Sequence, residues 1–174
     1  YAAGAVQPGD EDDYFQSSLF TIARRRILWL LILVLANGLT TKVIAMNDQI
    51  LREIVLLAAF IPLLIGTGGN VGAQSSTVVI RGLSTKKIKS LGAIKAVVRE
   101  AITGALLGVL MMLVVFPFAW WQGGGPLIAF AVGISLISIT TLAATTGAIL
   151  PLLFDKMRLD PALMSSPFIT TVTD

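Results

Sequence analysis

The segment IPLLIGTGGNVGAQSSTVVIRGLST, Ile61 to Thr85, decides how the rest of the chain is read. Its ends are apolar enough for a membrane helix. Its middle, GTGGNVG, is what a plain lipid-facing helix excludes. Glycine weakens a helix by about 1 kcal/mol per residue relative to alanine, and Gly66, Gly68, Gly69 and Gly72 crowd together here with Pro62 just before them. Inside a bilayer every backbone N–H and C=O needs a partner, and irregular backbone survives only against protein or a water-filled cavity. The expectation is therefore a span broken at GTGGNVG, its freed carbonyls facing protein or a wet path, where they suit a hard cation. The competing expectation is close packing. Gly68 and Gly72 form a four-spaced small pair, as do Gly104 and Gly108 further on.

The surrounding composition supports a membrane setting. Of the 174 residues, 55% are hydrophobic and 13% charged, about half the charged fraction of a soluble domain. Four runs approach the roughly 20 apolar residues that a helical crossing needs. They are Ile27 to Met46, about Ile50 to Arg81, Ala101 to Trp121 and Pro126 to Phe154. The tail turns apolar again near residues 167–174, as if opening a fifth. The fold class expected is all-α, a polytopic membrane helical bundle. Residues 1–23 form a polar cytoplasmic segment and residues 24–174 the transmembrane domain. The start, YAAGAVQPGDEDDYFQSS, is acidic and lacks the pattern of a cleavable signal; it reads as the end of a connection within a longer protein.

Basic residues orient the bundle. Arg24, Arg25 and Arg26 precede the first run; Arg81, Lys86, Lys87, Lys89, Lys95 and Arg99 lie between the second and third; Lys156 and Arg158 follow the fourth. The opposite side holds only Lys42 and Arg52, so the N-terminus is expected to be cytoplasmic in a multi-pass protein of the cell membrane. The basic residues are juxtamembrane, which favours anionic lipid headgroups over nucleic acid. Trp120 and Trp121, followed by GGG, fit an interface and a tight turn.

There is no cysteine and no histidine. Thiol chemistry, disulfides, thiolate metal sites and imidazole bases are excluded together. There is no nucleophile–base set, no pair of carboxylates on one predicted face and no phosphate loop, so transport is expected and catalysis is not. Oxygen donors alone fit magnesium, calcium or manganese. One carboxylate among several carbonyls suits a magnesium ion that keeps its waters. The carboxylate is Asp174, which follows the apolar Phe168–Thr173 and lies inside the membrane if that stretch opens a fifth span. Glu100 adjoins Arg99 and reads as an interfacial ion pair. Asp10, Glu11, Asp12 and Asp13 read as solvated linker.

These residues resemble a family. PLLIGTGGNVGAQSSTVVIRGLST with its basic loop looks like the second membrane helix of the MgtE magnesium channels, and LDPALMSSPFITTVTD looks like that family's entry to its last helix. The likeness runs from about Arg24 to Asp174. It implies a homodimer with five membrane helices per subunit and a pore on the dimer axis, lined by the second and fifth helices around a largely hydrated Mg2+. Carried over, Asp174 is the main acidic ligand, helped by backbone carbonyls near Gly66, Gly69 and Thr170, with Asn70 close by and Ser166 offering a hydroxyl. Pro62, Thr67, Gly72, Ala73, Gln74 and Pro167 are the implied pore-lining or structural positions. The family often has asparagine where this chain has Ala73 and Ser166, which leaves Mn2+ or Ca2+ beside Mg2+ as the cargo. Many members carry cytoplasmic regulatory domains, including a CBS pair, ahead of the membrane part. From the residues alone two further readings stay open: a membrane scaffold with glycine-packed helices, and a carrier that cradles an anionic solute on backbone N–H groups.

Overall fold

The computed structural model describes residues 19–47, 55–86, 88 and 92–158. All elements among them are helical: α1 (Leu19–Met46), a short α2 (Val55–Ala59), α3 (Ile61–Ser84), α4 (Ala93–Ala119), a π turn (Trp120–Gly124) and α5 (Gly125–Lys156). Two stretches, Val55–Ser84 and Ala93–Lys156, are long and apolar enough to cross a membrane, and Leu30–Met46 is a shorter apolar helix. The second stretch is not one rod. Gly123 (φ 89°) and Gly125 (φ 65°) reverse the chain in a conformation that L side chains rarely adopt. This makes α4 and α5 an antiparallel hairpin, and the glycine turn expected after Trp121 is present.

The expected break at GTGGNVG is absent: α3 is one continuous α-helix from Ile61 to Ser84. The interruption lies earlier, at Phe60, between α2 and α3. Pro62 has no N–H to give the carbonyl of Ala58, so the helical ladder cannot run through this point. The Phe60 N–H turns back to Leu57 O at 3.1 Å, while Phe60 O accepts from Leu64 at 3.0 Å. The aromatic ring anchors the joint: Phe60 is buried with Val115, Ala119, Ala129, Val132 and Leu136, edge-on to Phe118.

Glycine can remain helical at Gly66–Gly72 because tertiary packing outweighs propensity. Gly68, Val71, Gly72, Ser75, Ser76 and Val79 form the buried face of α3, and most of its packing is against α5. A Cβ on Gly147 would strike the carbonyl oxygen of Gly72, so two glycines bring the backbones into direct contact. Val71 packs with Ala143 and Ala144 there, and Val79 with Ala148 further on. The pairs advance together along both chains, so α3 and α5 run parallel.

The other side of α5 takes α4 by the same device. A Cβ on Gly104 would come within 2.5 Å of Thr140 O, and one on Gly108 would hit the Thr140 hydroxyl and the Ile137 backbone. Thr140 is fully buried, its hydroxyl donating to Leu136 O at 2.8 Å. The close-packing expectation holds for Gly104 and Gly108 and for Gly72, with Gly68 buried on the same face as Gly72, and α5 is the central helix of the three. A second correction concerns α4, which begins at Ala93 rather than near Ala101. Lys95 and Arg99 stand on its first turns and not in a loop.

Candidate functional site

The face of α3 turned away from α5 carries Gly66, Asn70, Ala73 and Thr77 at helical spacing, with Pro62 and Gln74 beside them. Gly66, Asn70, Ala73, Gln74 and Thr77 are all exposed. At 1.5 Å per residue, Gly66 to Thr77 covers about 16 Å. An apolar helix has thus placed Gly66, Ala73 and both of its amide side chains, Asn70 and Gln74, on one outward stripe. Gly66 is not required by packing within the chain, since a Cβ there would meet nothing within 4 Å. Gly72 differs, being buried against Gly147. Thr67 and Gly69 are half-buried at the edge of the stripe.

The continuity of α3 changes the chemistry expected of its carbonyls. Each accepts an N–H from the next turn, so none is freed. A carbonyl oxygen has a second lone pair, however, and some of these are used: Thr67 donates to Leu63 O at 2.7 Å and Thr77 to Ala73 O at 2.8 Å. The outward carbonyls that keep a free lone pair can accept a hydrogen from water. They are better suited to a hydrated ion than to direct ligation. Among the described residues no three Asp, Glu, His or Cys side chains come together, so the described helices hold no carboxylate cage for a dehydrated cation.

Asp174, Thr170, Ser166 and Pro167 lie outside the described residues. The structure brings together Pro62, Gly66, Asn70, Ala73 and Gln74 on one face of α3 and puts Gly72 on the opposite side. It also shows two polar features that the sequence did not signal. Glu100, half-buried on α4, accepts a hydrogen bond from the Ser75 hydroxyl on α3 at 2.5 Å. The expected Arg99–Glu100 ion pair is replaced by this bridge between helices. Contact across 25 residues leaves no local pattern to read. Ser76, 3% exposed, has a hydroxyl without a hydrogen-bond partner among the described residues.

Comparison with known proteins agrees with the earlier resemblance. The family model MgtE, described as a divalent cation transporter, matches residues 61–174. Three relatives bear the name magnesium transporter MgtE. The one from Thermus thermophilus is 36% identical over 86% of this chain, that from Bacillus subtilis 33% over 94%, and that from Enterococcus faecalis 36% over 87%. The chain spans about a third of the length of each, with 33%, 36% and 34% covered respectively. The family is one of transporters, not of enzymes. The chain, with its glycine-faced α3 inside the matched region, belongs to the MgtE family of divalent cation transporters.

Proposed function

We propose that this chain is the membrane part of a magnesium channel or transporter of the cell membrane. The observation that carries the reading is the outward face of α3, open at Gly66 and polar at Asn70 and Gln74. Amides are costly against lipid. A stripe of this kind belongs against water or a partner, and a homodimer with α3 beside its axis supplies both. In this reading α1, the α2–α3 stretch, α4 and α5 are four crossings, residues 167–174 open a fifth, and the N-terminus is cytoplasmic by the distribution of Arg and Lys.

A hydrated Mg2+ on such a path donates hydrogens from its waters to carbonyls near Gly66, Gly69 and Thr170, to the Asn70 amide oxygen and to the Ser166 hydroxyl. Asp174 supplies the charge that holds it. Glycine keeps the wall thin, so the ion passes with its first water shell intact, which suits an ion that dehydrates reluctantly. Ala73 offers no amide, and its carbonyl already accepts from the Thr77 hydroxyl, so discrimination against Mn2+ and Ca2+ rests on fewer amides than in many relatives. A regulatory region preceding residues 1–23 would act on this path from the cytoplasm.

The test is uptake of Mg2+ into liposomes containing the protein and loaded with a magnesium-sensitive dye, compared with Asp174→Asn and Gly66→Leu. Both variants are expected to lose uptake while remaining folded and inserted. Undiminished uptake in Asp174→Asn would overturn the cation path. No Mg2+ uptake by the parent protein, with enhanced uptake of an anion by Asp174→Asn, would favour the anion carrier.

A further inference from the structure

Helices α3 and α4 both pack on α5 but meet each other at few residues. A cleft opens between them where α3 ends and α4 begins. Its cavity, of about 680 Å3, is lined by Arg81 and Thr85 at the end of α3 and by Arg99, Glu100 and Thr103 of α4. On the far side of Arg99 and Thr103 a second groove, of about 380 Å3, follows the outer face of α4 along Ile94, Val98 and Ile102, with Lys95 also in its wall.

The charges here are unbalanced. Two guanidiniums from different helices share one cavity, and among the described residues neither forms an ion pair. The one carboxylate in the lining, Glu100, takes the Ser75 hydroxyl. The guanidinium fork matches a phosphate in two parallel hydrogen bonds. A free phosphate would have no use for the apolar groove next to it, where Ile94 is 79% and Ile102 64% exposed. A ligand with an anionic head and a long hydrocarbon tail satisfies both features.

We propose that the cleft holds one anionic phospholipid. Its phosphate sits between Arg81 and Arg99, and one acyl chain runs from there past Val98 and Ile102. Bound there, the lipid clamps α3, which carries the polar stripe, to α4. It adds to the few direct contacts that these two helices make, the Ser75–Glu100 hydrogen bond among them. The site requires the chain to be membrane-embedded but not that it conduct any particular ion.

The experiment is native mass spectrometry of the full purified chain in detergent, incubated with equal amounts of phosphatidylglycerol and phosphatidylcholine, with and without millimolar inorganic phosphate. Phosphatidylglycerol is expected to be retained over phosphatidylcholine by about tenfold, as one or two charge-assisted hydrogen bonds would give. The preference should vanish in Arg81→Gln/Arg99→Gln and be partly kept in Arg81→Lys/Arg99→Lys. Circular dichroism checks the fold. If the double variant does not fold, Arg81→Gln and Arg99→Gln are read singly, each lowering the preference by about threefold, part of the same hydrogen-bond loss. Equal retention of the two lipids, a preference that survives the glutamine variants, or displacement of phosphatidylglycerol by inorganic phosphate would each overturn the proposal. The readout is lipid mass, so it stands or falls apart from any flux assay.

Discussion

Gly147→Ala adds one methyl group at the point where α5 touches α3. The methyl carbon would strike Gly72 O and lie 3.1 Å from Gly72 C and 3.2 Å from Gly72 Cα. All three are backbone atoms, so no side chain can swing aside. Ordinary carbon contacts are about 3.5–4.0 Å apart, so the helices must separate by roughly 1 Å. The separation also loosens Val71 against Ala143 and Ala144. Overpacking of this kind costs about 1–3 kcal/mol, and the better helix propensity of alanine returns up to about 1 kcal/mol. The net loss, about 1.5 kcal/mol at the middle of these ranges, lowers the unfolding midpoint of a chain this size by about 3–6 °C. The control is Gly66→Ala, where the same methyl meets open space, so the midpoint should hold or rise. The assay is thermal unfolding in one detergent, followed by the monodisperse fraction on size exclusion. An unchanged or raised midpoint for Gly147→Ala would refute the backbone contact between α3 and α5.

Ser75→Ala strands the half-buried Glu100 carboxylate without its donor and should cost about 1–3 kcal/mol. In the same thermal assay Ser75→Ala/Glu100→Gln should cost clearly less than the two single changes added together, whereas simple additivity would mean the bridge is not formed. Ser76→Ala removes a buried hydroxyl that has no partner among the described residues, so the midpoint should be unchanged or slightly higher; a fall of several degrees would reveal a bond from Ser76 to a residue outside them. Ala73→Asn adds an amide to the outward stripe of α3, and competition of Mn2+ and Ca2+ with Mg2+ uptake should weaken; a preference unchanged by the substitution would remove residue 73 from the ion path.

Some of this was legible in the residues. The fourth run, Pro126 to Phe154, differs from α5 by one residue at its start and two at its end. Glycines mark one boundary there, and Asp155 and Lys156 the other. The start of α4 was misplaced because Lys95 and Arg99 look like loop residues. Their long stems let charges snorkel out of a helix that is already formed, and only Gly92 (φ 92°) marks the true boundary. GTGGNVG misled for a deeper reason. The summed glycine propensity argues for a break, and only the position of α5 shows that Gly72 is a contact point and Gly66 is not. One chain read alone carries no record of which glycine faces which neighbour. The outward stripe was readable as an outcome of spacing once α3 was known to be unbroken. The acidic counterpart proposed for it, Asp174, lies outside the described residues and rests on the tail that precedes it.

The central place of α5 has a consequence for how the protein is made. α3 and α4 leave the ribosome before the helix that joins them. At usual elongation rates, the stretch from Ser84 to Lys156 takes roughly 4–14 s to synthesise. For those seconds Gly72 has no Gly147 to rest on, Gly104 and Gly108 have no Thr140, and the Ser75–Glu100 bridge must form, if it forms at all, without a floor beneath it. A nascent chain in this state presents amides, hydroxyls and bare glycine backbone to its surroundings. Within a membrane those groups need another partner until α5 arrives.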